Sequence, residues 1–336
     1  MGTVVPRFLA ALFFVMLFAD PASATDPPAT LQPYVEDGTL RAGDFGWARG
    51  AFDDASAEDR NAYFEIVTWR ESCHEDDRAA MQDELATLGA SLPDDDIPYG
   101  RSLLCLAAYP PRLDAFASYS ELESASSRVV PLFTAYLVAA QRAEQVVAGG
   151  QTILREQLLA RTLFDQVLRH GLVLAFMRTG PFSDLDDGEI ALLDTLMRNA
   201  IMQSDLENAQ WLAAHLAEHG WPMQSDVDQR GAHAAWLIAQ HADLDPAFQL
   251  RALQSIEPLV SMEEASAASF AILSDRVSLK LSGTQRYGTQ LSCRDGMREA
   301  AALKSAAQVD ALRAEVGLEP LADFVARMNE RGGPCR

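Results

Sequence analysis

Apolar residues recur at three- and four-residue spacing through most of this chain, the mark of helices that bury one face. Thr25 to Pro33 is a proline-bearing leader, and Asp44-Phe45-Gly46-Trp47-Ala48-Arg49-Gly50 is rich in turns. Ser56 is the expected cap of the first helix, with Glu58 and Asp59 at its positive end. That helix carries Tyr63, Phe64, Val67 and Trp69 toward Cys73, and a second covers about 78–88. A short helix with Leu103, Leu104, Cys105 and Leu106 stops at Pro110-Pro111. A long one runs from about Ser118 to Val147, where Gly149-Gly150 closes it.

Beyond the glycine pair, Leu158, Leu159, Leu163, Val167, Leu168, Leu172 and Val173 predict a helix over 154–177. In the loop 181–188, Asp184, Asp186, Asp187 and Gly188 fail as a calcium loop, because Ser183 and Leu185 stand where acids are required. Ser183 with Asp186 reads instead as a cap for the helix through Ile190, Leu192, Leu193 and Leu196. Further helices are expected over 205–219, ended by Gly220 and Pro222, then over 231–242, 246–260 and 262–276. Val277-Ser278-Leu279-Lys280-Leu281 alternates with period two, Ser282-Gly283 offers a turn, and Gln285 to Gln290 returns. This pattern predicts a β-hairpin over 277–290. Helix resumes from about Met297, breaks at Gly317 and ends over 321–329. The expected fold is mainly α, with one small hairpin and two helical domains over 25–148 and 151–336.

Composition adds a compartment. Arg7 flanks an apolar run from Phe8 to Ala19, too short to span a bilayer, and Ala22-Ser23-Ala24 suits cleavage before Thr25. Residues 1–24 therefore read as a signal peptide, and the mature chain as periplasmic or secreted, with no membrane insertion after cleavage. In an oxidising compartment the four cysteines point to disulfides. Of the three possible pairings, Cys73–Cys105 and Cys293–Cys335 keep each bridge inside one expected domain. The net charge of −21 disfavours nucleic acid and anionic membranes as partners.

The chain has no G-x-S-x-G elbow, Walker loop, G-x-G-x-x-G or H-E-x-x-H, and no cofactor is implied. His215-Leu216-Ala217-Glu218-His219 matches H-x-x-E-H. Its histidines share a helix face and would suit zinc, with Glu218 as base and Glu263 or Glu264 as a third ligand. The simpler reading of His219 is a helix terminus that suits the dipole. His241 ends an apolar helix beside Gln240, with Asp243 two residues on. A nearby carboxylate would fix its tautomer for acid–base work. The structural alternative is a buried histidine holding a loop. Asp165 and Arg169 sit at i and i+4, where a plain ion pair also fits. On a strand, Gln285, Tyr287 and Thr289 would face one side together.

Taken in order, Asp165-Gln166-Val167-Leu168-Arg169, Gly220-Trp221-Pro222, Gln240-His241-Ala242, Asp275-Arg276 and Gln285-Arg286-Tyr287-Gly288-Thr289-Gln290 resemble an uncharacterised bacterial family, one of the domains of unknown function. Val316-Gly317-Leu318-Glu319-Pro320-Leu321 resembles its closing segment. The resemblance covers the C-terminal half and not residues 25–150. Asp228-Gln229-Arg230 departs from the family's Val-Gly step, which leaves the start of the next helix open. The resemblance implies a mostly helical domain and supplies no activity.

Asp165, Gln166, Arg169, Gln240, His241, Asp275, Arg276, Gln285, Tyr287 and Gln290 are therefore the expected site. As a binding pocket, their arginines would receive a small anionic, amide-bearing or peptide ligand. As a hydrolase, His241 would be general base, Asp243 or Asp275 its orienting carboxylate, and Tyr287 or an arginine the stabiliser of negative charge. A third reading is structural, with these groups satisfying one another.

Overall fold

Helix caps set the boundaries of most elements. The structure, a computed structural model, describes residues 26–93, 99–108, 112–149, 153–332 and 335. The expected signal peptide over 1–24, the Pro110-Pro111 stop and Gly150 lie outside these residues. The helices are α1 (Ala57–Thr87), α2 (Leu103–Ala107), α3 (Tyr119–Ala148), α4 (Leu154–Phe176), α5 (Asp187–His219), α6 (Gln224–His241), α7 (Pro246–Val260), α8 (Ala267–Ser282), α9 (Val309–Glu315) and α10 (Leu321–Gly332). Ser56 caps α1 by accepting from the Asp59 amide, and Ser118 caps α3 by accepting from that of Glu121. The residue capping α5 is Asp186 rather than Ser183. Its carboxylate accepts the Glu189 amide at 2.9 Å while the Glu189 side chain accepts the Asp186 amide at 3.0 Å. α5 then runs unbroken through 205, because it has no proline and its one glycine, Gly188, lies in the first turn.

The mainly helical class holds, but the hairpin does not lie over 277–290. Val277 to Leu281 form the last turns of α8, and Gly283, left-handed at φ 71°, ends it. Alternation over five residues is compatible with a helix when its buried members also fall four apart, as Leu273 and Val277 do. The antiparallel hairpin is instead β3 (Leu291–Arg294) with β4 (Met297–Ala300), pairing Cys293 with Arg298. Its turn is Asp295-Gly296, both at positive φ, the backbone that a tight two-residue hairpin loop demands. Met297 therefore opens a strand and not a helix. A second antiparallel pair joins Val35–Glu36 to Thr39–Leu40.

Two cores share the long helices. The first gathers Ile66, Trp69, Leu122, Val129 and Phe133 with Leu168, Leu192 and Met197 of α4 and α5, so the segments on either side of Gly149 bury apolar surface together. The second gathers Leu158, Leu212, Ala235, Ile238, Phe248, Ile256, Leu273 and Val277 from α4 to α8. At the α3–α4 contact, Gly171 is needed: a Cβ there would stand 2.5 Å from the Tyr136 ring, whose hydroxyl donates to the Val167 carbonyl at 2.9 Å. Both disulfides form as paired from the sequence, Cys73–Cys105 and Cys293–Cys335, with Cα atoms 6.2 and 5.7 Å apart. Among the described residues no helix is long and apolar enough to cross a membrane.

Candidate functional site

α4 crosses α6 where Asp165 meets the end of α6 at His241. His241 Nδ1 lies 2.9 Å from Asp165 Oδ2, which also accepts from Gln166 Nε2 at 2.8 Å. Arg169, one turn along α4, donates Nε to Asp165 Oδ1 at 2.7 Å and Nη2 to both oxygens of Asp205 at 2.7 Å. Burial pushes the Asp165 carboxyl up, but the His241 bond and the neighbouring positive charges outweigh it and hold it below its usual value. Burial pushes Asp205 well above its usual value, and Arg169 offsets this only in part. An ionised carboxylate only accepts, so His241 Nδ1 donates in this bond. The side chain is 17% exposed. Ligand atoms of Asp165, Asp205 and His241 lie within 4.8 Å of one another, yet Arg169 bridges the two carboxylates and already supplies a positive charge.

Asp243 anchors a second group. Arg276 donates Nε to it at 2.8 Å and closes a second bond with Nη2, and Lys280 Nζ donates to its Oδ1 at 2.9 Å and to Gln249 at 3.0 Å. Burial pushes the Asp243 carboxyl up, and the bond from Arg276 and the charge of Lys280 reverse this to well below the carboxylate range. Lys280, partly buried, is lowered by desolvation, with Asp243 pulling it back. Asp243 therefore does not orient His241; Asp165 does.

Asp275 holds the third group, a loop rather than a strand. Its buried carboxylate accepts the amides of Arg286 at 2.7 Å, Tyr287 at 2.9 Å and Thr289 at 2.9 Å, and the Thr289 hydroxyl at 3.0 Å. Gln285 accepts the Gln290 amide at 2.9 Å and donates to the carbonyls of Gln290 at 2.8 Å and Ala301 at 3.0 Å. Gln290 donates to Ile272 O at 3.4 Å. Arg313 closes the loop from below, donating to Tyr287 O at 2.7 Å and Glu319 O at 2.6 Å. Of the expected residues, Asp165, Gln166, Arg169 and His241 meet directly. Arg276 joins Asp243, while Asp275, Gln285, Tyr287 and Gln290 build the loop. Gln240 is buried with its Oε1 unpartnered.

Asp205, Gln249, Lys280 and Arg313 were not foreseen. Asp205 alone carried a signal, an acid among the buried Ile201, Ser204, Asn208 and Leu212 of α5. The rings of His215 and His219 stand 4.9 Å apart, but Glu264 is occupied in accepting the Ser225 amide at 2.8 Å. The start of α6 is also resolved. Asp228, at φ 58°, kinks the helix, and its carboxylate accepts the amides of Arg230 at 2.8 Å and Gly231 at 3.1 Å.

A cleft of about 600 Å³ opens beside the Asp165 group, between α4, α6, α7 and the start of α8. Gln166, Arg230, His233, Trp236 and Ser266 line it, with Leu163 and Ile256 as apolar wall. Trp236 Nε1 is buried without an acceptor, and its ring packs on His233 at 5.1 Å between centroids. Gln166 thus stands between the cleft and the Asp165–His241 pair.

No curated protein and no solved structure matches the chain. The model of a family of unknown function, DUF6624, matches residues 153–333, which carry the cleft and all three polar groups. That match spans more than half of the sequence, and the chain belongs to the DUF6624 family.

Proposed function

We propose that this is a periplasmic or secreted binding protein whose family domain takes a small polar or peptide ligand in the cleft beside Gln166. The unpartnered Trp236 Nε1 carries this reading. A buried donor left without an acceptor costs about 1–3 kcal/mol, which a ligand carbonyl or carboxylate would recover. Arg230 offers an exposed guanidinium at the rim for an anionic or amide group. The paired cysteines and the export segment support the compartment. Thermal-shift screening of di- and tripeptides and small carboxylates against the disulfide-intact protein tests the proposal. A binder is expected whose affinity falls about tenfold or more in Trp236→Phe and Arg230→Ala, at unchanged melting temperature. A binder indifferent to both substitutions would sink it.

The His241–Asp165 distance of 2.9 Å supports a second reading, a hydrolase with His241 as general base and Asp165 as its orienting carboxylate. It predicts peptide or ester hydrolysis lost in both His241→Ala and Asp165→Asn. Ligand binding that survives with no turnover at any pH would leave the binding reading alone.

A further inference from the structure

A second cavity lies away from the polar groups of the family domain. It has a volume of about 350 Å³ and sits where α3, α4 and α5 meet the segment 39–45. Its apolar wall includes Phe133, Leu137, Phe164 and Leu196. Its polar wall holds two cations and three carboxylates: Arg41 and Asp44 pair with each other at 2.7 Å, which leaves Arg161 in the same space as Glu144 and the exposed Glu207.

These last three charges face one cavity without pairing. Arg161 is half-buried, lies over the Trp211 ring at 4.4 Å and donates only Nη1, to Asn208 Oδ1 at 3.0 Å. Asn208 is itself fixed, donating to Ser204 at 3.2 Å. Nε and Nη2 of Arg161 have no partner among the described residues, and neither glutamate comes within ion-pair distance of it. Glu144 is half-buried and has no hydrogen bond or ion pair among the described residues. Glu207 accepts one bond, from Gln203 at 3.0 Å. A guanidinium held by an amide and a ring, with two donors free, is preorganised for a carboxylate. Carboxylates held off from it across the cavity suit an ammonium.

We propose that this cavity binds a small zwitterion of the α-amino-acid type, with its carboxylate on Arg161, its ammonium between Glu144 and Glu207, and its side chain against Phe133, Leu137 and Phe164. Burial pushes the Glu144 carboxyl up and the Arg161 guanidinium down, and each charge offsets the other's shift only in part. The volume falls within the range of small-molecule sites.

The test is calorimetry and thermal shift on the disulfide-intact protein with millimolar glycine, serine, leucine and glutamine. Each is compared with its N-acetyl derivative, its methyl ester and the corresponding dipeptide. Free amino acids are expected to bind, with affinity falling about tenfold or more when either end is blocked. Glu144→Gln is expected to weaken binding and Arg161→Met to abolish it. A dipeptide that binds more tightly than its amino acids, and needs both free termini, supports the same site with peptides as the source. Blocked and free forms that respond alike would overturn the proposal. So would the absence of any response in wild-type protein, or unchanged binding in a folded Glu144→Gln variant.

Discussion

Asp165 and Asp275 are both almost wholly buried, at 3% and 0% exposure, yet they are solvated in opposite ways. Asp275 is surrounded by main-chain amides of one loop, donors that neither titrate nor move without unfolding the loop. Asp165 is surrounded by side chains, one of which is an imidazole with a free nitrogen. The first arrangement fixes backbone; the second leaves a proton acceptor adjustable. A buried charge is therefore not by itself a sign of chemistry, and what distinguishes the two carboxylates is whether their partners can change state.

Removing Asp275 should have the largest effect. Asp275→Ala orphans several amides at once and is expected to destabilise by about 4 kcal/mol in urea unfolding, with the 286–289 amides losing hydrogen-exchange protection. Arg169→Met comes next, at about 2–3 kcal/mol, since it leaves two carboxylates without their shared cation but the arginine is about a third exposed. Asp205→Asn in that background is expected to restore part of the loss. His241→Ala should cost only about 1 kcal/mol, because Asp165 keeps Arg169 and Gln166, and equal losses for His241→Ala and Asp275→Ala would erase the contrast drawn above.

pH gives the smallest and most selective signal. The folded value of Asp165 is lowered, so its contribution is complete above the unfolded value and disappears as pH falls through the folded one. Asp205 is raised, so the folded state holds the extra proton between the two values and stability declines as pH rises across that window. Chemical denaturation across this range is expected to show that decline in wild-type protein and not in Asp205→Asn.

Much of the helical frame was readable because caps and breakers are local. Ser56 and Gly149 mark ends that hold in three dimensions, whereas Gly283, expected as a hairpin turn, ends α8; α7 runs from Pro246 to Val260 as its pattern predicts. Alternation over 277–281 misled because five residues cannot separate a strand from a helix face. The Asp165–His241 pair was half legible. Each residue stood out, but their meeting depends on how α4 crosses α6, 76 positions apart in sequence. Trp236 gave no signal, since a tryptophan at helical spacing reads as core and only the packed structure shows its nitrogen without an acceptor.

The loop 286–289 ends with a charge on each side. Its amides point to Asp275 and its Tyr287 carbonyl points to Arg313, a side chain only 1% exposed. The two ions never touch. The peptide groups between them act as a polarised medium, so each charge orients the dipoles that stabilise the other. Ion pairing can thus be transmitted through main chain. It makes the C-terminal segment, which delivers Arg313, a counter-charge for α8 at the far side of the loop.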